Sequence, residues 1–395
     1  MIALRDAIRE KRPRAVAEFI DQVKAHGGTP LVDDIPGEDK YVHVTFLWEG
    51  DASTRGVLID WYPFTVSRTA ELSMIPMEDT HLWYRTLRVP RGSRFLYQLS
   101  VNDPRTTIPN GAGRARPGPD PLNPRRDVCE LPGAPPQPYL AQRAGVPRLD
   151  MKREEIASHI LNERRSILVY TPPGWNPHLR APSLILFDGE QEDGLVFASS
   201  TVENLIHEGK IPPIVIARVP NPSGRSRMRD LACRPEFTDF LAKELTPLLQ
   251  EKYGTSRLAT ECGVGGSSRG GLAAVCAALR APDRFGLVMS QSGSLWYEPG
   301  DADKQPYHEP GWIIGQFLAR PKLPIRFYLD AGKFEFDATG EGFGALEPAR
   351  RLRDVLRTKG YDVMYQEFLS GHDDITWRGS FADALIALFG PLVKR

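Results

Sequence analysis

The sequence predicts an α/β chain: an open, mostly parallel sheet with helices on both faces, preceded by a smaller antiparallel domain of β-sandwich-like form. Three observations predict it. From about residue 150 onward, short apolar runs alternate with longer helical stretches, the pattern of a sheet covered on both faces. Before about residue 145, extended runs carry an apolar residue at every second position, as half-buried strands do. The two parts are joined by proline- and arginine-rich sequence, mainly 110–126 and 131–138. With 395 residues the chain has enough apolar content for two cores, so it is divided into a domain at 1–145 and a domain at 150–395.

In chain order, a helical stretch over 15–26 ends at Gly27-Gly28. Val42, Val44, Phe46 and Trp48 then line one face of a strand, and Phe95, Tyr97, Leu99 and Val101 one face of another. Residues 57–59 and 83–89 supply further strands, and the first domain's aromatics are read as its core, with Trp48 and Trp83 as candidates for a site edge. In the second domain, 166–170, 183–187, 214–219, 261–264, 287–290, 325–329 and 363–368 read as parallel strands. Helices are predicted over 201–208, 236–252, 270–280 and 347–359, with a last helix over 381–389.

The run Gly265-Gly266-Ser267-Ser268-Arg269-Gly270-Gly271 sits between a strand and the small-residue helix at 270–280. It contains Gly-x-Ser-x-Gly with Ser268 at its centre, the pattern of a nucleophile elbow. A serine at the apex of a strand-to-helix turn takes strained dihedrals, so its neighbours must lack side chains where the chain folds back. The alternatives are an ordinary glycine-rich turn or a phosphate loop, but no Gly-Lys-Ser/Thr follows. The Arg269 N–H at the helix start is a candidate oxyanion donor, and the Gly189 N–H, just after the strand at 183–187, is the second.

A serine hydroxyl needs a base. Of eight histidines, His372 alone follows a late strand on a Gly-His turn. His26, His178, His207 and His308 read as surface residues, His43 and His81 belong to the first domain, and His159 precedes the first sheet strand. In an α/β-hydrolase the chain order is serine, acid, histidine, and His372 meets it. The acid should follow the strand at 325–329, where Asp330, Glu335 and Asp337 compete; loop placement ranks Glu335 first and Asp337 second. A serine–histidine dyad without a strong acid stays open. His372-Asp373-Asp374 has no established ligand spacing, so no metal site and no cofactor are read.

Lysine plus arginine number 50, and so do aspartate plus glutamate, so net charge calls for neither nucleic acid nor an anionic membrane as partner. The first 16 residues alternate charge with small apolar residues and form no signal-peptide core, and no stretch is long and apolar enough to span a bilayer. Cys129, Cys233, Cys262 and Cys276 lack Cys-x-x-Cys spacing and read as buried free thiols suited to a reducing cytoplasm.

The stretches 266–272, 290–297, Gly371-His372-Asp373 with Trp377-Arg378, 187–190 and 227–231 resemble enterochelin (ferric enterobactin) esterases and their esterase-D-like relatives. The likeness extends to 28–32, 44–48 and 120–124, which are similar to that family's N-terminal domain, so nearly the whole chain is covered. The resemblance implies a cytoplasmic serine esterase that hydrolyses the trilactone backbone of a catecholate siderophore, often as its ferric complex. It carries over Ser268 as nucleophile, His372 as base and Glu335 as orienting acid. The chain departs from the family in a longer, glycine-rich acid loop through 340–344, and in Ser-Gly-His where Gly-Gly-His is usual.

A ferric tris-catecholate is a large trianion, so its pocket should offer cations and aromatic walls. Arg227, Trp296, Trp377 and Arg378 are the candidate substrate-binding residues, with Arg225, Arg229, Arg269 and Tyr297 nearby in sequence; each has a solvated loop or packed aromatic shell as its alternative. The partner expected is thus a small-molecule ester. Competing readings are a hydrolase for a carbohydrate-linked, peptide or macrolide ester, a non-catalytic siderophore-binding relative, and an acyl transferase using the same residues.

Overall fold

The computed structural model describes residues 14–60, 69–102, 128–148, 150–172, 174–178, 180–188, 199–299, 311–336 and 344–393. By contacts the chain divides into two units: residues up to Pro135 with Leu369–Ile375, and Pro136–Phe368 with Thr376–Arg395.

The first unit is built from helix α1 (Ala15–Ala25) and strands β1 (Leu31–Ile35), β2 (Glu38–Glu49), β3 (Val57–Asp60), β4 (Ile75–Pro76), β5 (Leu82–Pro90), β6 (Arg94–Leu96), β7 (Gln98–Val101) and β8 (Val128–Glu130). They form an antiparallel sheet ordered β1-β2-β5-β4 and the two-stranded pairs β3-β7 and β6-β8. The alternation in β2 does what a period of two requires: Val42, Val44 and Phe46 are fully buried. Leu47, on the opposite face, is buried as well because α1 covers it with Ala15, Ile20 and Val23. The run 95–101, expected as one strand, breaks at Tyr97 into β6 and β7, which pair with different partners. Tyr97 is buried there, edge-on to Phe46 at 4.8 Å. Loop 369–375 is tied to β6: Leu369 O accepts from Arg94 N at 3.0 Å, and Asp373 Oδ2 from Leu96 N at 3.3 Å.

The second unit holds an eight-stranded sheet of β9 (Asp150–Ser158), β10 (Glu163–Thr171), β11 (Ser183–Phe187), β12 (Val215–Val219), β13 (Cys262–Ser267), β14 (Leu287–Gln291), β15 (Arg326–Gly332) and β16 (Asp362–Phe368). Its order is β16-β15-β14-β13-β11-β12-β10-β9. The strands from β11 to β16 pair in parallel, and β9 and β10 form an antiparallel edge. Its helices are α2 (Ser199–His207), α3 (Gly224–Asp230), α4 (235–253), α5 (Arg269–Arg280), α6 (Trp312–Ala319), α7 (Leu346–Thr358) and α8 (Asp374–Phe389), α4 passing through a π-helical turn at Leu241–Leu245. Alternation splits each strand between two cores. Ile185, Phe187, Val288, Phe327 and Leu329 pack with the apolar sides of α4, α5, α6 and α7. Leu184, Leu186, Leu287, Met289 and Tyr328 pack with α2 and α8. This is the α/β-hydrolase arrangement that the sequence predicts.

Several elements differ from expectation. β10 was expected to be parallel and is antiparallel to both neighbours. β9 escaped notice because its residues, largely charged, lie at an edge where exposed charges are tolerated: Glu154 holds Lys252 at 2.5 Å and Arg153 holds Ser166 Oγ at 2.8 Å. α3 has no apolar stripe, and a reciprocal capping box between Ser223 and Ser226 starts it. Asp230 secures its far end, its fully buried carboxylate taking Arg165, Arg229 at 2.7 Å and Arg234 at 3.0 Å. α8 begins at Asp374, earlier than the expected 381, because its first turns are polar.

The expectation of four free thiols is corrected. Cys129 and Cys262 are free and buried, but Cys233 and Cys276 are joined in a disulfide, with Cα atoms 5.4 Å apart. They are 43 residues apart in sequence and meet only because α5 packs beside the start of α4. The thiol argument for a reducing compartment therefore fails for this pair. Among the described residues, no helix is long and apolar enough to cross a membrane.

Candidate active site

The carboxyl ends of the parallel strands β11, β13, β14, β15 and β16 lead into the segments that carry every catalytic candidate, as open α/β sheets require of their sites. β13 ends at Ser267 and α5 begins at Arg269, leaving Ser268 alone in the turn with φ 56° and ψ −119°. Such dihedrals cost a non-glycine residue on the order of 1–3 kcal/mol and persist only where packing enforces them. The enforcement is visible in the neighbours. A Cβ on Gly266 would lie 2.9 Å from the Gly270 Cα, and one on Gly271 would lie 2.7 Å from Ser290 Oγ and 3.0 Å from the Gly293 Cα. The turn is fastened to the strand beside it, since Ser268 N donates to Gln291 O and Ser294 N donates to Ser268 O, both at 2.9 Å. Ser268 Oγ itself is part-buried, 3.4 Å from Ser294 Oγ.

Arg269 opens α5, so its N–H lies in the first turn, where helices bind anions; its guanidinium lies 5.7 Å over the Tyr297 ring. Burial raises the Tyr297 phenol against the opposing pull of Arg269. Gly189, the second oxyanion candidate, lies outside the described residues, as does Asp337. Asp188, the last described residue before Gly189, has φ 58° and accepts Arg227 Nε at 2.6 Å, Arg227 Nη2 at 2.8 Å and Asn221 Nδ2 at 2.7 Å. The charge of Arg227 is thus balanced by a two-pronged carboxylate contact rather than offered singly.

Glu335 is buried directly behind the strand end. Its Oε1 accepts from Ser292 Oγ and from Gly332 N, both at 2.6 Å. His372 lies in the loop joining β16 to α8. Trp296 is part-buried, and Arg378 Nε donates to Gln137 Oε1 at 3.1 Å. Trp377, expected in an aromatic wall, is buried instead, and its Nε1 donates to Ser292 Oγ at 2.9 Å. Sequence reasoning gave no role to Ser292, Ser294 or Gln291, although all three lie in the stretch 290–297.

Asp330 stands inside β15 rather than at its tip, opposite Gln291 of β14 and Gln366 of β16. Burial pushes its carboxyl up to about 7; the charge of Glu335 adds to this, and hydrogen bonds from the Ser380 hydroxyl and the Ser292 N–H oppose it. The folded protein therefore holds this proton where an unfolded chain, with an aspartate near its ordinary value, has released it. The resulting stability is complete below about pH 4 and lost as pH rises through about 7. Asp330→Asn keeps an oxygen for the Ser292 N–H and is expected to stabilise the protein at pH 8, by on the order of 2–4 kcal/mol. The gain should shrink toward zero as pH falls to 4. Paired thermal unfolding curves across that range check it, and a gain independent of pH would contradict the assignment.

Comparison with known proteins shows what the chain is similar to. The model of the family described as "Putative esterase" matches residues 158–388, more than half of the chain. Iron(III) enterobactin esterase from Dickeya dadantii is 27% identical over 94% of this chain and 92% of its own length. Iron(III) salmochelin esterase from Escherichia coli is 25% identical over 91% of each. The structure of the enterobactin esterase from Shigella flexneri, determined in the presence of 2,3-dihydroxy-N-benzoyl-serine, superposes with a TM-score of 0.74 at 25% identity, covering 94% of this chain and 98% of that one. The family model covers residues 158–388, the strained turn at Ser268 among them, so the chain belongs to this esterase family and is a carboxylic ester hydrolase.

Proposed function

We propose that this enzyme hydrolyses the ester bonds of a catecholate siderophore such as ferric enterobactin through an acyl-enzyme on Ser268. The observation that carries the chemistry is the strained serine alone at the β13–α5 junction, in a turn packed so closely that Gly266 and Gly271 have no room for a side chain. The substrate class is supported by relatives named enterobactin and salmochelin esterases that align over nine-tenths of this chain.

In this mechanism His372 takes the Ser268 proton as the Oγ attacks the ester carbonyl. The tetrahedral oxyanion is held by the N–H groups of Arg269 and Gly189. His372 returns its proton to the leaving alcohol, and the ester C–O bond breaks to leave the acyl-enzyme. A water, deprotonated by the same imidazole, then releases the acid and restores the serine. Glu335 orients the imidazole and balances its charge. Trp296, Arg227 and Arg378 shape the substrate end of the site, Arg227 as part of its ion pair with Asp188. The cytoplasmic location implied by the family resemblance belongs to the same proposal.

Mass spectrometry of reactions with ferric enterobactin, iron-free enterobactin and a simple aryl ester tests the substrate. The expected result is trilactone opened by one water per ester cleaved. Turnover of the aryl ester alone would replace the siderophore by another ester, and no turnover of any of them would favour a binding protein.

A further inference from the structure

A directional hydrogen-bond chain runs through three buried side chains, from Trp377 to Ser292 to Glu335. Ser292 follows β14 with φ 44°, in the left-handed region. Its N–H reaches both Asp330 O and Asp330 Oδ1 at 3.1 Å, so the β14–β15 register that sets Gln291 opposite Asp330 also sets the place of the Ser292 hydroxyl. Ser292 Oγ lies 2.6 Å from Glu335 Oε1 and 2.9 Å from Trp377 Nε1. An indole N–H can only donate. Ser292 Oγ therefore accepts from Trp377, and its single proton is committed to Glu335. Trp377 is itself held, because its carbonyl accepts from Gln291 Nε2 at 2.8 Å and that amide also donates to Ser380 Oγ at 2.7 Å. All of these residues lie in one unit of the chain.

We infer that Ser292, oriented by Trp377, is a positioning residue that fixes Oε1 of Glu335 and so presents this carboxylate to the catalytic histidine in a single orientation. The inference rests on the reading of Glu335 as the acid of a serine hydrolase. Two donors on one oxygen, Ser292 Oγ and Gly332 N, leave the carboxyl little freedom to rotate. Packing alone would need neither the hydroxyl nor the indole N–H.

The test is a double-mutant cycle on hydrolysis of p-nitrophenyl butyrate, with wild type, Ser292→Ala, Glu335→Gln and the double variant, each checked for folding by thermal unfolding. Loss of a hydrogen bond to a charged group is expected to lower kcat about 10- to 100-fold with KM changed by less than about twofold. In the Glu335→Gln background the same Ser292→Ala change should lower kcat by less than about twofold, because no carboxylate remains to be held. Trp377→Phe keeps the ring but drops the N–H, and is expected to lower kcat about threefold to tenfold. A full Ser292→Ala effect in both backgrounds would overturn the inference, as would unchanged kcat in Ser292→Ala. Should Ser292→Ala fail to fold, unchanged kcat in Trp377→Phe overturns it and a decrease supports it. If wild type hydrolyses the ester and the cycle is additive, only this inference fails; if wild type neither hydrolyses it nor reacts with a fluorophosphonate, the functional reading falls and takes the inference with it.

Discussion

Ser268→Ala is expected to lower kcat/KM for ester hydrolysis by about 10⁴- to 10⁶-fold while leaving the folded state intact. The size follows from the chemistry, since without Oγ no acyl-enzyme forms and only binding and oxyanion stabilisation act on water attack. The intact fold follows from the structure. Among the described residues Ser268 Oγ makes one hydrogen bond, long at 3.4 Å to Ser294 Oγ, whereas the turn is held by the backbone bonds of Ser268 N and O. Alanine carries the same Cβ at φ 56°, so the backbone strain is unchanged. Steady-state kinetics with an aryl ester, alongside thermal unfolding, measure both. Activity within tenfold of wild type would remove Ser268 from the mechanism.

His372→Ala is expected to cost nearly as much, and the double variant Ser268→Ala/His372→Ala should be no slower than the slower single one. Groups acting in one proton transfer lose their effect together, so near-complete non-additivity is the expected signature. Glu335→Gln should cost less, about 10²- to 10⁴-fold, because the imidazole remains and only its orientation and charge balance are lost. Asp337→Asn is expected to stay within about threefold of wild type. The expectation for Glu335 rests on its being buried with one oxygen fixed by Ser292 and Gly332. A larger loss from Asp337→Asn than from Glu335→Gln would exchange the two acids.

How much of this the sequence carries depends on how far apart the cooperating residues lie. The elbow is local: two glycines, a serine and a small-residue helix fall within a dozen positions, and steric necessity writes them into the pattern. The placement of Glu335 after a late strand and of His372 after the last strand also follows from order alone, because parallel α/β sheets put their functional loops at one end. The chain from Trp377 to Ser292 to Glu335 is different. Its members are 85 and 43 residues apart and meet through the register of β14 and β15 and the seating of α8 on Gln291. Trp377 thus read as a wall for substrate, when its indole is turned inward. Asp330 ended the predicted strand because it is charged, although β15 continues through it to Gly332. The polar edge strand β9 and the capped helix α3 were missed for a related reason: neither is specified by an apolar period, and both are held by pairing, capping and ion pairs.

The most direct test of the central claim is covalent labelling with a fluorophosphonate, followed by mass spectrometry of the digested protein. Only a serine activated by a base reacts with the phosphorus centre, and the adduct names the residue without any assumption about the natural ester. One adduct per chain is expected, on Ser268, absent from Ser268→Ala and formed far more slowly in His372→Ala. No adduct, or an adduct on another serine that persists in Ser268→Ala, would contradict it.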